Sequence, residues 1–151
     1  GPVLVIGAGG GARAVVAGLQ DAGATRLMVT NRSPERAQAL ARDLGVDCLG
    51  WPDRAAAVRE AALVVNTTSL GMAGQPELDL DLGRLSPRAL VADIVYVPRE
   101  TRLLAAAREK GCRTVNGLGM LLHQARPAFR DWFGVMPEVT PHLRALVEAT
   151  L

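Results

Sequence analysis

"VLVIGAGGGARAV", Val3 to Val15, decides how the chain is read. Four apolar residues run into glycine at positions 7, 9, 10 and 11, and alanine-rich sequence follows. The apolar run suits a buried strand and the alanine-rich stretch a helix. Glycines at such a junction allow a tight loop. They also clear side chains from a backbone that phosphates approach closely. The stretch fits G-x-G-x-x-A as Gly7, Gly9 and Ala12. In that pattern Gly7 permits the sharp turn, Gly9 opens the path of a pyrophosphate, and Ala12 lets helix and strand pack closely. The helix start then offers unpaired N–H groups and the positive end of its dipole.

Working outward, strands are predicted over 3–7, 26–31, 46–51, 62–66, 89–95 and 112–116. Helices are predicted over 11–22, 34–44, 52–60, 101–110, 118–133 and 140–151. Ser33 and Thr140 read as N-caps, with Pro34 and Pro141 at the first helical positions. Pro127 is expected to interrupt the helix over 118–133. The stretch 67–87 reads as a loop with one helical turn near Leu82. Alternating apolar strands and helices imply an α/β chain. The expected fold is a Rossmann-like, doubly wound parallel sheet of about six strands in three layers, spanning 1–151 as one domain.

Composition limits the rest. The 151 residues are 49% hydrophobic but only 3% aromatic, so aliphatic side chains must fill the core. A net charge of +2 is too small to argue for nucleic acid or an anionic membrane. No apolar run approaches the roughly 18 residues of a membrane span, and no signal peptide is expected before the first strand. Cys48 and Cys112 form neither a disulfide framework nor a zinc site. Both are expected to be buried thiols in a reduced, cytoplasmic compartment.

The end of the second strand bears on cofactor choice. NAD sites usually place an acid there for the ribose hydroxyls. Here Asn31-Arg32-Ser33 is followed by Arg36, with no carboxylate before Glu35. Guanidinium groups form bidentate bonds to phosphate, so this pattern favours the 2′-phosphate of NADP. It counts against a methyltransferase or flavin site.

Ligands of such sheets bind outside the carboxyl ends of the strands. Three polar or glycine-bearing segments lie there: "NTTSLGM" (66–72), "DIVYVPRET" (93–101) and "NGLGMLLHQA" (116–125). In the last, Gly117, Met120 or Leu121, and Gln124 share a helix face that suits a cleft. Leu118, Leu122, Ala125, Phe129 and Trp132 share another, expected to be core. His123 is expected to face solvent. Asp93 is expected to orient or hydrogen-bond neighbours rather than act as a base.

These segments, with "GAGGGARAV", "NRSPERA", "DIVYVPRETRLLAAAREKG" and "NGLGMLLHQARPAFRDWFG", resemble in order the carboxy-terminal half of shikimate dehydrogenase. The resemblance implies an NADP-binding domain of an enzyme that interconverts 3-dehydroshikimate and shikimate. It implies that Gly9, Gly10 and Gly11 border the phosphates and that Asn31, Arg32, Ser33 and Arg36 surround the 2′-phosphate. Thr67, Thr68 and Ser69 would lie along the cofactor, with Ile94 and Gly117 near the nicotinamide; Met120 is also expected among the cofactor-binding residues. Tyr96 and Gln124 match positions that reach shikimate. Gly11 stands where alanine is common, and Thr68-Ser69 replaces a more usual Thr/Ser-Pro pair.

The resemblance implies that the family's catalytic lysine and aspartate belong to an amino-terminal substrate domain, which is expected to lie outside these residues. The single lysine, Lys110, closes a helix at the opposite sheet edge and is better explained by the helix dipole. The chain alone is therefore expected to bind NADP(H) without turnover. Leu143, Leu146, Val147 and Leu151 form an apolar face on the last helix that suits the missing domain or a homo-oligomer. Two alternatives are a quinate/shikimate dehydrogenase paralogue and a non-catalytic nucleotide-sensing module.

Overall fold

The computed structural model describes residues 1–151. The elements, in order, are β1 (Val3–Ile6), α1 (Gly10–Asp21), β2 (Leu27–Thr30), α2 (Pro34–Leu44), β3 (Asp47–Cys48), a 3-10 turn (Trp51–Asp53) and α3 (Arg54–Val58). There follow β4 (Leu63–Asn66), β5 (Leu90–Asp93), α4 (Arg102–Glu109), β6 (Arg113–Val115), α5 (Leu118–Phe133) and α6 (Pro141–Glu148). One six-stranded sheet runs in the order β3-β2-β1-β4-β5-β6. Every ladder is parallel. The chain reverses direction across the sheet between β1 and β4, the switch point of the doubly wound fold.

Alternation along the strands sends side chains to two cores. Val3, Val5, Leu27 and Val29 pack with Ala12 and Val16 of α1 and Leu40 and Ala41 of α2. Leu4, Ile6, Val64 and Val91 pack with Val58 of α3 and with Leu103, Leu104 and Ala107 of α4. The same core takes Leu70, Leu78, Leu82 and Leu85 from the segment between β4 and β5. Each such leucine contributes about 1.5–3 kcal/mol relative to an exposed one. That burial holds this long connection in place without regular structure.

Several expectations are corrected. The turn near Leu82 is a single hydrogen-bonded one and not a helix: Leu85 N donates to Leu82 O at 2.9 Å, and Asp81 Oδ1 accepts from Gly83 N at 2.7 Å. The third strand is two residues long. Leu49 N still donates to Val29 O at 2.9 Å, but the chain then leaves the sheet for a 3-10 turn in which Trp51 lies 4.3 Å from the Arg54 guanidinium. Cys48 is exposed on that short edge strand, whereas Cys112 is buried. Pro127 does not interrupt α5, which runs unbroken through it. The one hydrogen bond lost there would have ended on His123 O, on an exposed turn that water reaches.

The expected core face of α5 holds only for its first half. Leu118 and Leu122 are buried, while Ala125 is exposed, Phe129 is 42% exposed and Trp132 80% exposed. Phe133, Val135, Leu143, Leu146 and Leu151 are also exposed. Beyond Leu122 the chain lies outside both cores. On the side of the sheet that carries α1, Val115 is 52% exposed. A shallow groove of 290 Å³ there is walled by Val15, Leu19, Leu90, Ala92 and Met120.

Candidate functional site

The carboxyl edge of the sheet gathers the chemistry-bearing segments because parallel strands all end on one side. Gly7 follows β1 with φ of +120°, a backbone that L side chains rarely adopt. A Cβ at Gly7 would collide with Thr67 Oγ1 and come within 3.2 Å of Thr68 Cγ2. That Thr67 hydroxyl donates to Ile6 O at 2.7 Å and ties the ends of β1 and β4 together. The fold thus needs glycine at 7 and a small residue at the fully buried Ala12. It makes no such demand at Gly9 or Gly10, where a Cβ would meet no protein atom within 4 Å. A Cβ on Gly11 would come within 2.9 Å of Ile94 Cδ1.

Gly9 caps α1 without a side chain, and no acidic residue lies in the first turn. Two later helices, α4 and α6, are capped by side chains, whereas α2, α3 and α5 make no side-chain cap bond. Thr101 Oγ1 accepts from Leu104 N in α4, and Thr140 Oγ1 from Leu143 N in α6. The start of α1 therefore keeps its donors and positive dipole end for an anion. The exposed, small-residue loop above it lets a large anion reach those donors.

Beside it, Asn31, Arg32, Ser33 and Arg36 follow β2. Asn31 Nδ2 donates to Ser33 O at 3.2 Å. Ser33 sits at the N-cap of α2 as expected, but its side chain makes no capping bond. Its hydroxyl donates instead to Glu35 Oε2 at 3.0 Å. The Glu35 backbone N–H and the Ser33 hydroxyl hold the Glu35 carboxyl below its ordinary range. Arg13 is paired with Asp43 at 2.8 Å. Arg32 and Arg36 are exposed and have no carboxylate within 4.0 Å, so they are the free cations of this corner.

Past the switch point lies a mostly apolar groove of 520 Å³, lined by Thr67, Thr68, Ser69, Met72, Ala73, Ile94, Val95, Tyr96, Val97 and Met120. Gly117 seats the start of α5 against it. Its N–H donates to Val95 O at 2.9 Å, and a Cβ there would overlap the Ile94 carbonyl. Tyr96 lines the groove; Gln124 is exposed, one turn beyond Met120, and outside the lining. His123 is exposed, as expected. Lys110 donates to Gly83 O at 2.9 Å in a separate 630 Å³ depression between the 77–83 segment and α4. That depression lies away from the glycine loop. No three His, Cys, Asp or Glu side chains converge in a way that would hold a metal ion.

Comparison with known proteins agrees with this layout. Residues 2–101 match the profile described as shikimate / quinate 5-dehydrogenase, and residues 117–147 that of the shikimate 5′-dehydrogenase C-terminal domain. The chain belongs to this family. It is 61% identical to the shikimate dehydrogenase (NADP(+)) of Acidiphilium cryptum, over 100% of this chain and 54% of that protein. Among solved structures, a quinate dehydrogenase from Corynebacterium glutamicum in complex with NAD aligns with a TM-score of 0.90 at 36% identity, over 99% of this chain and 55% of that one. The Thermus thermophilus shikimate 5-dehydrogenase in complex with NADP(H) and shikimate aligns at 0.79 and 39% identity, over 91% and 51%. The chain spans about half the length of the curated relatives it matches. No helix is long and apolar enough to cross a membrane.

The family's cofactor requires a cradle for a pyrophosphate, and the residues present fit one: Gly9 and Gly10 leave the approach clear above an uncapped helix start. Sequence reasoning missed the part that Asn66 and Thr101 play under the groove. The signal was present, since Asn66 ends β4 opposite Asp93 at the end of β5, but only the strand register pairs them.

Proposed function

We propose that this chain is the NADP(H)-binding unit of a shikimate dehydrogenase, which reduces 3-dehydroshikimate to shikimate with NADPH. One observation carries the cofactor reading: two unpaired guanidinium groups stand beside an uncapped helix start, with no acid aimed at the adenosine end. The backbone by itself also fits a quinate dehydrogenase that holds NAD. Arg32 and Arg36 favour the phosphorylated cofactor and with it the shikimate reading.

In this reading the amides of Gly9, Gly10 and Gly11, in the turn that Gly7 and Ala12 permit, hold the pyrophosphate. Arg32 and Arg36, with Asn31 and Ser33, bind the 2′-phosphate. Thr67, Thr68 and Ser69 line the path toward the groove, where Ile94, Gly117 and Met120 form the wall for the nicotinamide. Tyr96 and Gln124 reach toward the substrate. When bound, NADPH supplies the hydride. The alkoxide that then forms needs a proton from a positioned acid, and the groove contains no lysine, histidine or carboxylic acid in its lining. That acid belongs to the part of the longer relatives that this chain does not span. The exposed Trp132, Phe133 and Leu146 form the surface on which it docks, or on which isolated copies associate.

Titration calorimetry tests the reading. The chain should bind NADP more tightly than NAD, and shikimate plus NADP should produce no reduced-nicotinamide absorbance. Equal affinities would overturn the 2′-phosphate site. Turnover would overturn the account of the absent acid.

A further inference from the structure

We propose that Asp93 is a positioning residue: its buried carboxylate, clipped to Asn66 and Thr101, sets the spacing of the two loops that wall the nicotinamide end of the groove. This rests on the NADP-binding reading and goes beyond it, because Asp93 does not line the groove.

The geometry begins with register. Asn66 and Asp93 are the last residues of adjacent parallel strands and are directly paired. Their side chains therefore leave the same face of the sheet at the same height. Asn66 Nδ2 donates to Asp93 Oδ1 at 3.0 Å and to Leu70 O at 3.0 Å. Asn66 Oδ1 accepts from Thr68 N at 3.0 Å and Thr68 Oγ1 at 2.7 Å. One amide thus folds the whole 67–70 turn onto itself. Asp93 does the same for the other wall. Its Oδ1 also accepts from Val95 N at 3.0 Å, and its Oδ2 from Thr101 Oγ1 at 2.8 Å. The 94–100 loop is held at both ends by one carboxylate. The two walls meet again where Ala73 N donates to Val97 O at 3.0 Å.

Asp93 is 2% exposed and has no cationic side chain within 4.0 Å. Burial pushes its carboxyl above the ordinary range, against the pull of the Val95, Thr101 and Asn66 donors, and Glu77 adds repulsion. An apolar residue would be cheaper to bury here. What a carboxylate adds is direction: a satisfied polar network fixes its partners in one arrangement, which apolar packing does not. The elements it fixes carry Thr67, Thr68, Ile94 and Tyr96, all in the groove lining. The adenosine corner at Arg32 and Arg36 follows β2, on the far side of β1 from this network.

That separation supplies the test. Adenosine 2′,5′-bisphosphate contacts only the adenosine corner, whereas NADP spans both regions. In this chain Asp93→Asn should weaken NADP at least tenfold and leave the bisphosphate within twofold. Thr101→Val should act in the same direction, and Thr101→Ser, which keeps the hydroxyl, should bind NADP within about threefold of the unsubstituted chain. Retained bisphosphate binding also reports that a variant is folded. If Asp93→Asn fails to fold, the Thr101 pair decides: Thr101→Val removes the bond to Asp93 Oδ2 together with the Leu104 N cap, and Thr101→Ser keeps both. NADP affinity unchanged in these variants, or both ligands weakened equally, would overturn the positioning role. Failure of the unsubstituted chain to bind the bisphosphate would instead overturn the cofactor reading itself.

Discussion

Replacing Arg32 and Arg36 by alanine removes two charges that the fold does not use. Both side chains are exposed and neither has an ion-pair partner. The loss of stability should therefore stay within about 0.5 kcal/mol. The ligand is another matter. A unit charge pair about 4 Å apart is worth about 1 kcal/mol in water and about 4 kcal/mol at the effective dielectric of a protein surface. Exposure places this corner near the lower figure, so each arginine should contribute about 1–2 kcal/mol to a bound 2′-phosphate. That corresponds to about 5- to 30-fold in NADP affinity per residue. The two are one helical turn apart and share a target, so the double variant should fall short of the sum. NAD affinity should move less than about twofold. Salt gives a second reading: the screening length falls from about 10 Å at 0.1 M to about 3 Å at 1 M. The preference of the unsubstituted chain for NADP should therefore shrink with salt, while the double variant should show little change. Calorimetric titration of both dinucleotides at both salt levels measures all of this. An unchanged NADP-to-NAD ratio in the double variant would refute the role given to these side chains.

The glycine loop makes a contrasting pair of predictions. Gly7→Ala should cost about 2–4 kcal/mol in denaturant unfolding, from a strained φ and displacement of the Thr67–Ile6 hydrogen bond. Gly9→Ala should leave stability within about 0.5 kcal/mol yet weaken NADP, because its Cβ meets no protein atom but enters the path of the pyrophosphate; equal destabilisation by both would refute the distinction. Asp93 predicts a pH effect. Its folded-state carboxyl titrates above the ordinary 3.8, so between 3.8 and that raised value the folded chain holds more proton than the unfolded one. Stability then falls as pH rises through this window. Relative to Asp93→Asn, the unsubstituted chain should gain melting temperature as pH drops from neutral toward about 4, and parallel curves would refute it.

Much of this protein was legible in the order of its residues. Apolar runs, glycine turns and proline starts located the six strands and the main helices to within a few residues. These signals are local: a residue's φ, its missing N–H or its apolar neighbours act over one turn of chain. The errors came where distant parts decide. The third strand shortened where Leu49 and Trp51 turn to pack against the core that holds Leu4, Val64 and Val91. The connection after β4 was legible as a loop, but that four of its leucines enter the core shows only in the folded chain. The alternation expected to bury α5 was real, but beyond Leu122 nothing in this chain covers it.

The site divides in the same way. The glycine spacing and the Asn31-Arg32-Ser33 sequence identify an anion cradle and a cation pair from the chain alone, because adjacent residues build each one. Only the folded sheet shows that Gly7 answers to Thr67, far along the chain, and that Gly9 answers to nothing in the protein. Only strand register brings Asn66 to Asp93, and Asp93 in turn to Thr101. Periodicity can say that a residue ends a strand. Which strand lies beside it is set by the packing of the whole chain.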